Sequence, residues 1–277
     1  RLSAEKRFLA VILSSAFFGF LVGVAHSTWQ AVAESSQVLA GIAKYPTANP
    51  FYIYHLKSWT ILNQLGALFL YLGGTEKILS MVVSGMMGMV YFMGFSVFVF
   101  ALCQNSLFAL LTPFLMHFLD LDTDFGVTYP FQITDSMHTY GIIGQGFAFL
   151  VIALFCAKKF KAGGFLLGIS LSIHPAIGGF LCLTLFLGFC WSYKSHLSSF
   201  FVALKYFFLG TLLTALSFYF YSEFSEQIPV ISDSLAADYR YISAKYWSHH
   251  RGPISTLSIG ILIGIVSFLF ISILILF

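Results

Sequence analysis

Apolar stretches alternate with shorter polar ones along the whole chain. The apolar runs cover about 8–25, 58–73, 78–103, 139–157, 163–174, 176–192, 200–221 and 256–277. A helix that spans a bilayer needs roughly 20 such residues. The pattern predicts an all-α fold: a polytopic transmembrane helix bundle of about eight spans, with interfacial helices between them. The segment "SLFALLTPFLMHFL" (106–119) is too short to cross comfortably and carries Pro113 and His117, which predicts a re-entrant or interfacial piece. The stretch 163–192 is too long for one span and short for two. The His174–Pro175 dipeptide inside it predicts a tight reversal between two short helices, because the residue before a proline is pushed out of the helical region.

A helical period also runs through the polar segments. In "HSTWQAVAESSQVLAG" (26–41), Ser27, Gln30, Glu34 and Gln37 fall on one stripe, and Trp29, Val32, Ala33 and Leu39 on the other. That predicts a helix lying in the interface plane, with Trp29 at headgroup depth and Glu34 turned away from lipid. "SDSLAADYRYISAKYWSHHRGPIS" predicts a second amphipathic helix, with an apolar stripe of Leu235, Tyr239, Ile242 and Tyr246, ended by Gly252–Pro253.

Composition agrees with the pattern. Of 277 residues 58% are hydrophobic and 9% charged, where a soluble domain carries about 25% charged residues. The whole of 1–277 therefore reads as a single integral membrane domain. A net charge of +3 gives no sign of a nucleic-acid partner. Cys103, Cys156, Cys182 and Cys190 lie in or beside apolar runs without a CxxC or Cys/His spacing, which predicts buried thiols. Phe8–Ala25, behind Arg1, Lys6 and Arg7, is long for a signal peptide's core and reads as a retained signal anchor.

Lysines and arginines set the orientation. With the N-terminus in the cytoplasm, that side receives Arg1, Lys6, Arg7, Lys77, Lys158, Lys159, Lys161 and Lys194, with Lys205 snorkelling back to it, against Glu5 and Glu76 alone. The opposite side receives most of the acids and three long segments, 26–57, 104–138 and 222–255. Nearly every polar residue able to do chemistry falls on that non-cytoplasmic face: His26, Glu34, His55, Asp135, His138, His174, His249, His250 and Arg251.

Each candidate has two readings. Glu34 is either the solvated face of an amphipathic helix or a carboxylate facing a cavity, tuned by desolvation to act as a general base or metal ligand. Asp135 and His138 share a helical face at i, i+3 spacing at the mouth of the next span, unless Ser136 to Thr139 are nothing more than that helix's N-cap. His174 either bonds a carbonyl freed by Pro175 or faces substrate. His249, His250 and Arg251 either complement a helix dipole or clamp a lipid phosphate, for which arginine offers a bidentate fork. Asp120, Asp122 and Asp124 begin like a calcium loop, but the glycine and distal glutamate are misplaced. A bis-histidine haem needs two histidines at matching depth on facing helices, and His117 and His196 do not suit it. No GxSxG, HExxH, Walker A or Rossmann glycine pattern is present. No internal repeat stands out, which weighs against an inverted-repeat transporter.

A first span starting in the cytoplasm, followed by an acid in a long external loop of interfacial helices, resembles the GT-C class of membrane glycosyltransferases. The run "WQAVAESSQVLAGIAKYPTANPF" is similar to the acid, A-x-x-L-x-x-G, Y-P run that follows the first span in many of them. The resemblance covers about the first 75 residues and the topology, and this chain lacks the paired DE or DxD. It implies a polyprenyl-phosphate sugar as donor, and Glu34 as the residue that activates the acceptor or holds a divalent metal. On that reading Asp135 and His138 join Glu34 in the catalytic cavity. Lys57, His174, His249, His250 and Arg251 bind the lipid-linked sugar. The alternatives are a non-catalytic integral membrane subunit that docks membrane-protein partners or lipids, and a lipid or solute transporter.

Overall fold

The structure is a computed structural model and describes residues 3–46, 49–118, 139–191, 193–226, 228 and 232–246. The described residues form helices and connections, with no strand among them. In order the helices are α1 (Ala4–Ala25), α2 (Ala31–Leu39), α3 (Pro50–Lys57), α4 (Ile61–Tyr71), α5 (Glu76–Cys103), α6 (Ser106–Phe118), α7 (Tyr140–Cys156), α8 (Phe160–Ile173), α9 (Pro175–Trp191), α10 (Tyr193–Ser225) and α11 (Asp233–Tyr246). The chain divides into two compact units; α1 to α10 belong to the larger and α11 to the smaller. Three helices have segments long and apolar enough to cross a membrane: Ala4–Ala25, Glu76–Cys103 and Leu197–Ser225. This is the architecture of an all-helical membrane protein.

Polar caps start several helices where the sequence turns apolar. Ser3, Thr60, Thr75 and Thr139 each accept a backbone N–H of the following first turn. At the other end of α5, Gln104 sits in the left-handed region at φ 54° and closes the helix.

The larger unit is built on glycine seams. Along α1 and α5, a Cβ added at Gly19 would run into the Gly88 carbonyl, and one at Gly23 into the Ser84 carbonyl. Small residues let two backbones approach closely where packing, not hydrophobicity, must hold helices together. The register is antiparallel: Gly23 meets Ser84, Gly19 meets Gly88, and the Phe8 ring meets Phe100 at 5.9 Å. A second seam joins α8 to α10, with Gly164 on Ala203, Gly168 on Phe207 and Gly210 on Phe165, and here the helices run parallel.

The antiparallel seam alters the expected threading. Glu76 and Lys77, which open α5, lie at the end where α1 finishes, not beside the N-terminus. Gln104, which closes α5, accepts a hydrogen bond from Arg7 Nη1 at 3.2 Å. The run at 58–73 is correspondingly not a span of its own. Its helical part, α4, has 11 residues and packs on α2, at the end where α1 finishes and α5 begins.

The segment taken as re-entrant or interfacial, α6, instead lies along α1 and α5. Ala109 packs with Val11 and Phe100, Phe114 meets Phe18 and Phe92, and His117 reaches His26 with ring centroids 5.2 Å apart. The His174–Pro175 break forms the expected tight reversal. Gly178 of α9 abuts the Ser170 carbonyl of α8, and Phe160 and Phe189 at the far ends of the two helices meet at 6.3 Å. The four cysteines are free thiols but mostly not buried. Cys103, Cys156 and Cys190 are exposed near the last turns of α5, α7 and α9.

One end of the larger unit is basic. Arg7 lies beside Gln104, Lys159 Nζ sits 4.4 Å from the centre of the Phe8 ring, and Glu5, Lys158 and Lys159 line a groove of about 300 Å³ there. The opposite end carries α2, α3, His26 and His117.

Gly19→Leu should strain the α1/α5 seam and cost about 1–3 kcal/mol or more. The measurement is thermal unfolding in detergent, with Gly179→Ala as the control. A Cβ at Gly179 meets nothing within 4 Å, so that variant should unfold at or above the wild-type temperature.

Candidate functional site

The site lies where α2 and α3 cap the end opposite the basic one. The amphipathic reading of α2 is overturned in one respect. Gln30, expected on the polar outer stripe, is fully buried, as are Val32, Ala33, Ser35 and Ser36. The helix packs against α3, α4 and α5. Gln30 Nε2 donates to Ser84 Oγ on α5 at 2.7 Å, while its Oε1 is buried without a partner. Glu34 remains half-buried, and Trp29, exposed as expected, donates its indole N–H to Glu34 Oε1 at 3.1 Å.

One residue further along, a chain of polar side chains runs through the interior. Ser35 Oγ lies 2.9 Å from His55 Nδ1 on α3. The Tyr140 hydroxyl, in the first turn of α7, lies 2.7 Å from Ser35 Oγ, 2.9 Å from Asn63 Oδ1 on α4 and 3.2 Å from the Ala31 carbonyl. Asn63 Nδ2 donates to the Ser58 carbonyl at 3.0 Å, and Ser36 Oγ donates to the Asn63 carbonyl at 3.2 Å. Four helices thus share one network. It is anchored outward by Thr60, which donates to the Ile173 carbonyl, and by Gln64, Trp59 and Ser217, which bond α10 to the start of α4. Buried polar groups are costly unless bonded, so the network fixes how α2, α3, α4 and α7 meet.

Directly against it lies an apolar cavity of about 320 Å³, lined by Val32, Gly66, Met87, Ile143, Phe147 and Ile173 among others. Val32 lies one turn from Ser35, Ile143 one turn from Tyr140, and Tyr140 packs against the same cluster as the cavity wall. Leu65, Val82 and Met86 also line the cavity and are exposed, so it opens sideways between α4 and α5. Glu34 is not among its lining residues.

His55 is buried, which holds its pKa below the ordinary histidine value; the nearby Glu34 charge pulls it partly back. The resting imidazole is therefore neutral near pH 7.

The other sequence candidates are distributed unevenly. Lys57 is exposed at the end of α3, where its carbonyl accepts from the Tyr221 hydroxyl at 3.1 Å. His174 is neither at the network nor in the cavity wall. Its Nδ1 accepts the Ile177 N–H at 3.3 Å and its Cβ packs on Gly144, so it caps α9 instead of bonding a freed carbonyl. Asp135, His138, His249, His250 and Arg251 lie outside the described residues. No three His, Cys, Asp or Glu side chains gather as metal ligands among the described residues. Among the described residues, the groups around Glu34 are an indole N–H and a single imidazole, which do not by themselves make a divalent-ion site.

Sequence reading missed Ser35, Asn63 and Tyr140. Ser35 and Ser36 follow Glu34 directly but fall on another face of the helix, and Tyr140 has the look of an interfacial aromatic. Comparison of the chain with protein-family models, curated proteins and solved structures gives no match in any of the three.

The depressed His55 pKa makes a pH prediction. A group whose folded pKa lies below its unfolded value stabilises the fold above the unfolded pKa, and that stability is lost as pH falls through the folded pKa. Acidification from pH 7 through the ordinary histidine value of 6.5 and below should lower the unfolding temperature. His55→Asn should remove that component of the pH dependence. Thermal unfolding across pH 8 to about 5, in wild type and variant, checks both.

Proposed function

We propose that this chain is a polytopic membrane enzyme of the lipid-linked-sugar glycosyltransferase type. It would work on the non-cytoplasmic face and transfer a sugar from a polyprenyl-phosphate-linked donor. The observation that carries this reading is the juxtaposition of a half-buried carboxylate, a buried His–Ser–Tyr–Asn network and a wholly apolar cavity open to the side. A lipid-linked substrate needs that combination: an apolar slot for its tail, and polar groups where its head meets the membrane surface.

The charge distribution supports the orientation. Lys6, Arg7, Lys158 and Lys159 share one end, which the positive-inside tendency assigns to the cytoplasm together with the N-terminus. The bundle then crosses eight times, through α1, α5, α6, α7, α8, α9, α10 and the apolar run 256–277. Glu34 supplies the negative charge by which the acceptor hydroxyl is activated. Lys57, His249, His250 and Arg251 hold the phosphate, whose developing charge is the larger stabilisation to be supplied. Asp135 and His138 come from the same external face.

A second reading is a non-catalytic membrane subunit that holds a lipid or a partner protein. Two observations favour it: Glu34 does not line the cavity, and one of its oxygens is taken by the Trp29 indole.

Transfer from a synthetic polyprenyl-phosphate sugar, with the protein in vesicles, separates the two. Glu34→Gln should lower the rate by about 10²-fold or more while the protein stays folded, and Arg251→Ala by about 10²-fold. Absence of transfer by the wild type would exclude the enzymatic reading, and full transfer by both variants would exclude the roles given to Glu34 and Arg251. Met86→Trp narrows the side opening from an exposed position. It should raise KM for a long-chain donor and leave a short-chain analogue unaffected.

A further inference from the structure

We propose that His55 is the proton acceptor of this site, its ring locked by Ser35, Tyr140 and Asn63 so that Nε2 offers a free lone pair to an alcohol hydroxyl. The inference rests on the glycosyl-transfer reading for its reaction, but not for its geometry.

The proton positions follow from the distances. Asn63 Nδ2 donates to the Ser58 carbonyl at 3.0 Å, which turns Asn63 Oδ1 toward Tyr140. An amide oxygen only accepts, so the single Tyr140 proton goes to Oδ1 across 2.9 Å. Ser35 Oγ, 2.7 Å from the same phenolic oxygen, must then donate to it. The remaining contact, 2.9 Å between Ser35 Oγ and His55 Nδ1, is left for a proton on Nδ1. Every donor in the chain from His55 to Ser58 then has one acceptor. In the reverse direction, Tyr140 and Asn63 oxygens would face each other at 2.9 Å with no proton between them. A neutral His55 therefore carries its proton on Nδ1, and Nε2 is the basic atom. Among the described residues nothing bonds to Nε2.

The surroundings suit a base that is neutral at rest and charged in transit. Burial disfavours the imidazolium, and the charge of Glu34 on α2 favours it. The other titratable groups around His55 are Tyr140 on α7, and Tyr54 and Lys57 on its own helix. In the reaction, His55 Nε2 takes the acceptor hydroxyl's proton as that oxygen bonds to the anomeric carbon. The bond from that carbon to the phosphate oxygen breaks, and the polyprenyl phosphate leaves with the electron pair. The imidazolium, steadied by Glu34, then returns its proton to water. Ser35, Tyr140 and Asn63 are positioning residues.

The test has two parts on the full chain in nanodiscs. First, nitrogen-15 NMR of labelled histidine should show His55 protonated at Nδ1 and bare at Nε2 near pH 7, and Tyr140→Phe should move part of the population to the other tautomer. A wild-type ring protonated at Nε2 overturns the proposal. Second, transfer from the synthetic polyprenyl-phosphate sugar should fall by about 10²-fold or more in His55→Gln. In Tyr140→Phe, kcat should fall with KM unchanged, and the acid limb of the pH–rate profile should move. If wild type transfers sugar and His55→Gln transfers it equally, the His55 assignment fails alone. If wild type transfers none, the glycosyl-transfer reading fails, and the proton step falls with it whatever the tautomer.

Discussion

The close approach of α1 and α5 at Gly19, Gly23, Gly85 and Gly88 decides what the rest of the larger unit can be. Two backbones in contact over this length admit no side chain between them, and their antiparallel sense fixes which ends of the other helices meet. Because α5 begins where α1 ends, the chain between them must leave and return on one side. The residues between α1 and α5, with α2, α3 and α4, are therefore gathered at one end, where Gln30 reaches Ser84 and Leu70 packs with Ala33 and Leu79. The other end is left to Arg7, Gln104 and Lys159.

That gathering creates a polar interior inside an apolar bundle. Ser35, His55 and Asn63 are buried and Tyr140 partly so, so most of their hydrogen bonds are found among themselves. Satisfaction of this kind is directional. The Asn63 amide, pinned by the Ser58 carbonyl, sets the Tyr140 proton, which sets Ser35, which sets the His55 tautomer. The same fixed polar groups border a cavity whose walls offer nothing but hydrocarbon. A molecule with one polar end and one long apolar end matches that boundary. On the proposed reading, Glu34 and His55 then act on its head.

Much of the fold is legible in the residue pattern. The apolar runs fall on α1, α5, α7, α8, α9 and α10, and Pro175 marks the reversal between α8 and α9 because a proline cannot be followed backward by an uninterrupted helix. Glu34 stands out as a carboxylate beside hydrocarbon; in the structure it is half-buried with the Trp29 indole on its Oε1. The errors are of another kind. The runs at 58–73 and 106–119 have comparable hydropathy, yet α4 belongs to the cap and α6 lies along α1. Likewise α2 has a polar stripe, but Gln30 on that stripe is buried.

The sequence by itself determined the helices, their breaks and the membrane character, since apolar periodicity, proline and glycine act within a few residues of where they stand. Only the tertiary structure decided the direction of α5, the role of α6 and the union of Ser35 with His55, Asn63 and Tyr140. Those depend on which backbones can touch and on which buried donors find acceptors more than a hundred residues away. No local pattern encodes such pairings, because the energy that selects them exists only once the helices are packed.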